Sequence, residues 1–221
     1  MKRILILLIA ACLFSCKQKG TAQSTIHKKY NPEAVKLSNS ALKMAQSSYG
    51  ADRPQALTNA IALFNKALSI DSNYYWACYN KLAFQLELKQ YQDALVTDKQ
   101  LVRISPYKAD SYSNEGLLED KLGDTLSGNE CFKKALSLYN NLLDTMSEKN
   151  KHYNDIKLNK AVALIMTGQQ IKGNPILKQL YNTTTDTSYR QYYLLYMNKS
   201  RKQILDELYN GETISSSTNS R

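Results

Sequence analysis

The chain has 221 residues, 43% of them hydrophobic and 22% charged, with a formal net charge of +10. That balance is ordinary for a folded protein and excludes wholesale disorder and a multi-span membrane protein. Only 8 Gly and 4 Pro are present, too few turn-formers for a sandwich or barrel of many short strands, so long helices are expected.

The first element is an address. Met1-Lys2-Arg3 precedes an apolar run from Ile4 to Phe14, followed by Ser15-Cys16. As a helix this run spans roughly 16 to 18 Å, short of a hydrocarbon core of about 30 Å, so it reads as a secretion signal over 1–15. Leu13-Phe14-Ser15-Cys16 resembles the bacterial lipobox, although Phe14 is bulkier than is usual there. The resemblance implies cleavage before Cys16 and lipidation of that residue, with acyl chains such as palmitate anchoring the protein to a bacterial envelope membrane, the outer membrane by expectation. An ordinary signal with an incidental Cys16 is the alternative. Without residues 1–15 the chain keeps 27 basic and 19 acidic residues. Nucleic acid is not expected as a partner, because no nucleic-acid motif accompanies that charge. Lys17, Lys19, Lys28 and Lys29 lie beside the anchor, where they meet anionic headgroups or are simply solvated. Residues 16–31 are polar and aperiodic and read as a flexible tether.

From Pro32 to 209 the pattern is helical. Ala56 to Ile70, Ala77 to Leu88, Ala94 to Ile104 and Glu130 to Leu143 carry apolar residues at spacings of three and four, with no comparable strand-like alternation. The stretch Ala60 to Asp71 recurs from Ala94 and again from Gly128, each step being 34 residues. This period, with Tyr112, Gly116, Gly123-Asp124, Gly128, Phe132, Ala135-Leu136 and Leu138 in the copy at 109–142, resembles the tetratricopeptide repeat. A second copy carries Tyr79 to Ala83 and Leu86. A fourth carries Leu158 to Val162 and Ile165.

Aligning Ala83 and Val162 with Gly116 makes the turns of the second and fourth copies one residue shorter than that of the third. The first copy has a longer connection, Ser47 to Pro54, and an insertion near Asn140 to Lys151 separates the third and fourth. Asn174-Pro175 reads as a helix start, leaving the fourth copy's second helix short. Ser188 to Met197 and Arg201 to Tyr209 are expected as a terminal pair covering the open end, with Ser200 and Gln203 as a capping box. Residues 210–221 read as a disordered tail. The expected fold is therefore an all-α, right-handed helical-repeat solenoid of about four repeats plus a terminal helical pair. Glu115 departs from the family pattern, occupying a place usually held by a buried Leu.

The family resemblance implies a protein or peptide partner held on the inner, concave face. Its groove positions map to Asn80, Phe84 and Glu87, to Ser113, Leu117 and Asp120, and to Asn159, Ala163 and Met166. Short polar side chains there can hydrogen-bond a peptide backbone, and Phe84 and Leu117 offer apolar contacts. Solvated positions of no special role are the alternative. Cys78 and Cys131 read as buried thiols on helices that are not neighbours. Tyr74-Tyr75-Trp76 and Tyr189, Tyr192, Tyr193 and Tyr196 read either as packing residues or as a partner surface.

No catalytic residue, metal cluster or cofactor motif stands out. His27 and His152 are isolated, and no Gly-rich phosphate loop is present. The expectation is a scaffold for outer-membrane or secretion assembly and not an enzyme. A ligand- or glycan-capturing accessory lipoprotein and an inhibitor of the immunity type are the alternatives.

Overall fold

The structure is a computed structural model that describes residues 30–210. The expected signal, Cys16, most of the tether and the tail from 211 lie outside the described residues. Among the described residues ten α-helices follow one another: α1 (Pro32–Gln46), α2 (Arg53–Ile70), α3 (Tyr75–Glu87), α4 (Tyr91–Ile104), α5 (Ala109–Lys121), α6 (Thr125–Thr145), α7 (Tyr153–Met166), α8 (Gln170–Thr183), α9 (Thr187–Leu194) and α10 (Arg201–Asn210). No strand occurs among the described residues.

A few of the helices begin at a side chain that satisfies their free amides. Asn31 accepts from the Glu33 amide at 2.9 Å with Pro32 at the first turn, and Asp124 accepts from the Ser127 amide at 3.0 Å. At α10 the Ser200 amide donates to Gln203 at 2.8 Å and the Gln203 amide donates to Ser200 at 3.3 Å, the reciprocal box that the spacing predicts. Asn174-Pro175 behaves otherwise. It lies inside α8, which starts at Gln170. Pro175, the sixth residue of α8, lies past the first turn and forgoes the helical hydrogen bond its amide would have made, and Asn174 is not a cap because its side chain accepts from the Asn198 amide at 3.0 Å.

α1 packs on α2, α3 on α4, α5 on α6 and α7 on α8, and successive pairs join through α2 on α3, α4 on α5 and α6 on α7. This is a stacked helical-repeat solenoid of four pairs. The connection in the first pair contains a 3-10 turn at Gly50–Asp52. The insertion between the third and fourth pairs is partly absorbed by α6, which runs on to Thr145.

The turns within pairs two, three and four are the same. In each, the middle residue is left-handed: Lys89 (φ 59°), Gly123 (φ 94°) and Gly168 (φ 78°). Each repeats one backbone pattern, exemplified by Gln90 to Gln85 at 2.8 Å, Asp124 to Glu119 at 2.9 Å and Gln169 to Leu164 at 2.8 Å. The second and fourth turns are therefore not shorter. Gly116 corresponds to Leu82 and Ala161, one residue before Ala83 and Val162, and its partner Gly128 corresponds to Ala94 and Gly173.

Close helix approach supports this register. A Cβ on Gly128 would lie 3.0 Å from the Gly116 carbonyl oxygen, and one on Gly173 would lie 2.7 Å from that of Ala161. Leu82, Gly116 and Ala161 are all buried, whereas Ala83 and Val162 are half-buried. Small residues at the seams, including Ala41, Ala60, Ala94 and Ala135, are fully buried. The register also accounts for Glu115, whose counterparts are Lys81 and Lys160, so its place is a polar one in this chain.

The terminal helices do not form the expected end cap. α9 packs on α8, but α10 turns back and lies against α5, its buried residues joining one core with those of the third and fourth pairs.

Candidate functional site

The first helices of the pairs, α1, α3, α5 and α7, share one side of the stack. The corrected register aligns Asn39, Asn80, Asn114 and Asn159, each two residues before the buried position Ala41, Leu82, Gly116 or Ala161. The sequence mapping placed Ser113 in this row where the structure places Asn114. The Asn-x-small/apolar pattern was the signal that could have found it.

This row is not uniformly open. Over the first two pairs Asn39 is exposed and Asn80 half-buried. Phe84, also half-buried, rests its ring 5.5 Å from that of Phe64, leaving part of it accessible as an apolar contact. Glu87 is engaged: it is paired with Arg53, whose Nη2 donates to Glu87 Oε2 at 2.9 Å and whose Nη1 donates to the Ala45 carbonyl at 3.1 Å. That guanidinium thus ties the end of α1 and the start of α2 to the end of α3.

Over the third and fourth pairs the expected groove residues are consumed internally. Tyr139 donates to Asp110 at 2.7 Å and shares a 3.1 Å hydrogen bond with Ser113, while Asn159 donates to the same Asp110 oxygen at 3.2 Å. Ala163 and Met166 are fully buried and Leu117 nearly so, because Tyr193, Tyr196 and α10 complete a core around them. These three are packing residues and not open contacts. Asn114, Asn159 and Ser113 line a cavity of about 30 Å3 closed on one side by Tyr196, room for little more than a water molecule.

Asp120, expected as a groove acid, is held by Arg201. Nε donates to Oδ2 at 2.7 Å and Nη2 pairs with Oδ1, with the Asn129 side chain bonded to Nη1. Burial still outweighs Arg201 and holds the Asp120 carboxyl above its ordinary range.

A second polar group lies away from this face, where α4 meets α5 and α6. Lys99 pairs with Glu119 at 2.7 Å. Burial pushes the Glu115 carboxyl up, although Lys99 and a hydrogen bond from Cys131 work against it. Asp98 is fully buried, neither of its oxygens has a hydrogen-bond partner, and burial with Glu115 nearby drives its carboxyl well above the usual range. Cys78 is buried, Cys131 is half-buried, and both are free. Burial pushes each thiol up to about 12, which leaves them unreactive as nucleophiles at neutral pH.

The two aromatic groups divide. Tyr74, Tyr193 and Tyr196 are buried packing residues, whereas Trp76 and Tyr189 are exposed. Among the described residues no group of His, Cys, Asp and Glu is arranged to hold a metal ion, and no helix is long and apolar enough to cross a membrane.

No family model and no curated protein matches the sequence. Solved structures with related architecture include residues 41 to the end of MamA from Desulfovibrio magneticus RS-1, at 17% identity over 70% of this chain and 96% of that one, with a TM-score of 0.40. YrrB, described as a tetratricopeptide-repeat protein with an unusual peptide-binding site, is 16% identical over 72% and 90%, with a TM-score of 0.36. A tetratricopeptide repeat protein from Parabacteroides merdae is 15% identical over 80% and 91%, with a TM-score of 0.35. These scores carry no inference to this chain, whose architecture and site stand on its own helices.

Proposed function

We propose that the protein is an interaction scaffold, lipid-anchored to a bacterial envelope membrane through Cys16, and that an extended segment of a protein partner lies along its inner face over α1 and α3. The observation that carries the binding reading is the register of Asn39 and Asn80 beside the partly exposed ring of Phe84. Amide side chains one repeat apart can donate to and accept from a peptide backbone, and a ring edge can anchor one side chain. The anchoring reading rests on Leu13-Phe14-Ser15-Cys16 behind a basic start and an apolar run. A tethered, peptide-holding surface suits assembly of outer-membrane or secretion machinery.

Membranes from cells producing the wild type and Cys16→Ala test both halves together. The wild type is expected in the membrane fraction with acyl mass on its amino-terminal Cys, bringing down a partner after gentle solubilisation. Cys16→Ala is expected in the soluble fraction, folded and free of that mass. Unchanged fractionation with no acyl mass on the wild type would remove the anchor.

A further inference from the structure

α10 is placed as a ligand would be. From Arg201 to Tyr209 only Lys202 is exposed, and Ile204, Leu208 and Tyr209 are buried, with the helix docked on α5. At one end the Arg201 guanidinium grips Asp120 through two atoms, accepts help from Asn129, approaches the Thr125 carbonyl at 3.4 Å and lies 5.6 Å over the Phe132 ring. The Asp120 carboxylate is only 1% exposed beneath it. At the other end the Tyr209 ring meets Tyr91 edge-on at 5.2 Å, and the Lys121 ammonium sits over both rings at 5.3 and 5.1 Å. Ile204 and Leu208, three and seven residues after Arg201, fill the span between.

The hold depends on these side chains. A ten-residue helix is marginal by itself in water, so α10 is helical because the groove makes it so. Its hinge is short and bent, with Asn198 left-handed at φ 61° and its amide bonded to Asn174.

We infer that α10 is a displaceable resident of the groove on α5, and that this groove takes in its place an amphipathic helix of a protein partner carrying a cation followed by apolar residues at +3 and +7 and an aromatic at +8. The cation replaces Arg201 on Asp120, which a purely apolar helix would leave buried without its counter-ion. This deepens the scaffold reading and rests on it, adding a second and more selective contact beside the open face on α1 and α3.

The probe is a fluorescent peptide of residues 198–210. A chain with Arg201→Ala and Tyr209→Ala, confirmed folded by circular dichroism, is expected to bind it at least tenfold more tightly than the wild type, where α10 competes in cis. A peptide carrying Arg201→Glu should not bind. In the wild type, hydrogen exchange over 202–209 should be faster than over α5, and peptide above the millimolar effective concentration of the cis helix should speed it further. Protection of 202–209 equal to that of α5 and indifferent to peptide would overturn the inference. So would failure of the folded double variant to bind, while a partner captured through α1 and α3 would leave the scaffold reading standing. A peptide-reversible dimer of the wild type would assign the groove to a second copy and overturn the partner.

Discussion

Phe132→Ala is expected to lower the stability of the protein by about 3–5 kcal/mol, the range for truncating a fully buried aromatic. The Phe132 ring is 1% exposed, and its edge would lie 3.0 Å from a Cβ on Gly116, so α5 cannot settle inward to fill the space without moving its backbone. The Arg201 guanidinium lies over the same ring, 5.6 Å from its centre. Removing it therefore weakens the seam of the third pair and the seat of α10 together. Thermal unfolding should show a midpoint lower by roughly 6–20 °C, at about 2–4 °C per kcal/mol for a chain of this size. Hydrogen exchange over 202–209 should rise at temperatures where α1 to α4 stay protected. A loss under 1 kcal/mol with α10 undisturbed would mean that the ring is not the centre of that pair.

Asp98 should make stability fall as pH rises. Its carboxyl is raised in the folded state chiefly by burial and secondly by Glu115, while Cys78, Cys131 and Tyr209, facing it from α3, α6 and α10, supply no compensating cation. Below an ordinary value of about 3.9 both folded and unfolded chains hold the proton. Above it the unfolded chain releases the proton while the folded chain keeps it, so the folded state binds more protons and its stability declines by about 1.4 kcal/mol per pH unit until the raised value is reached. Asp98→Asn has the same shape and does not titrate. It is expected to match the wild type near pH 4 and, in urea unfolding, to exceed it by a margin that grows as pH rises until the raised value is passed. A gap independent of pH, or an Asn variant that becomes the less stable as pH rises above 4, would show that Asp98 finds a partner when ionised.

The helical class and the repeat were legible because they are local. Ala60, Ala94 and Gly128 recur at a fixed step, Gly123-Asp124 announces a turn and a cap, and Ser200 with Gln203 announces the last helix. The register of the second pair was misplaced by one residue for a physical reason, and the fourth was aligned with it although Ala161 and Gly168 hold the expected places there. Lys89 occupies a left-handed position that usually favours Gly, and Leu82 stands where Gly116 does, so the small Ala83 drew the alignment to itself. That slip replaced Asn114 by Ser113 in the inner row. Pro175 misled because a proline that usually marks a helix start lies here in the interior of α8, at its sixth residue.

The filling of the groove could not be read from spacing at all. Arg201 meets Asp120 across 81 residues, Tyr209 meets Tyr91 across a still longer interval, and nothing local distinguishes α10 from a helix that merely closes the stack. The burial of Leu117, Ala163 and Met166 is completed by Tyr193, Tyr196 and α10 together, contacts that no local spacing announces.

The central claim is that the inner face over α1 and α3 holds the partner, and the most direct measurement is the affinity of a captured partner for three forms of the purified protein. The wild type and Lys134→Ala, a change at an exposed position of α6, should bind alike. Phe84→Ala should bind about ten- to a hundredfold more weakly, the loss of roughly 1.5–3 kcal/mol of apolar contact, after its own thermal midpoint confirms that α2 and α3 remain packed. Equal binding by Phe84→Ala and the wild type, with loss on replacing the exposed Tyr189 of α9, would contradict the claim and move the working surface to the end of the chain.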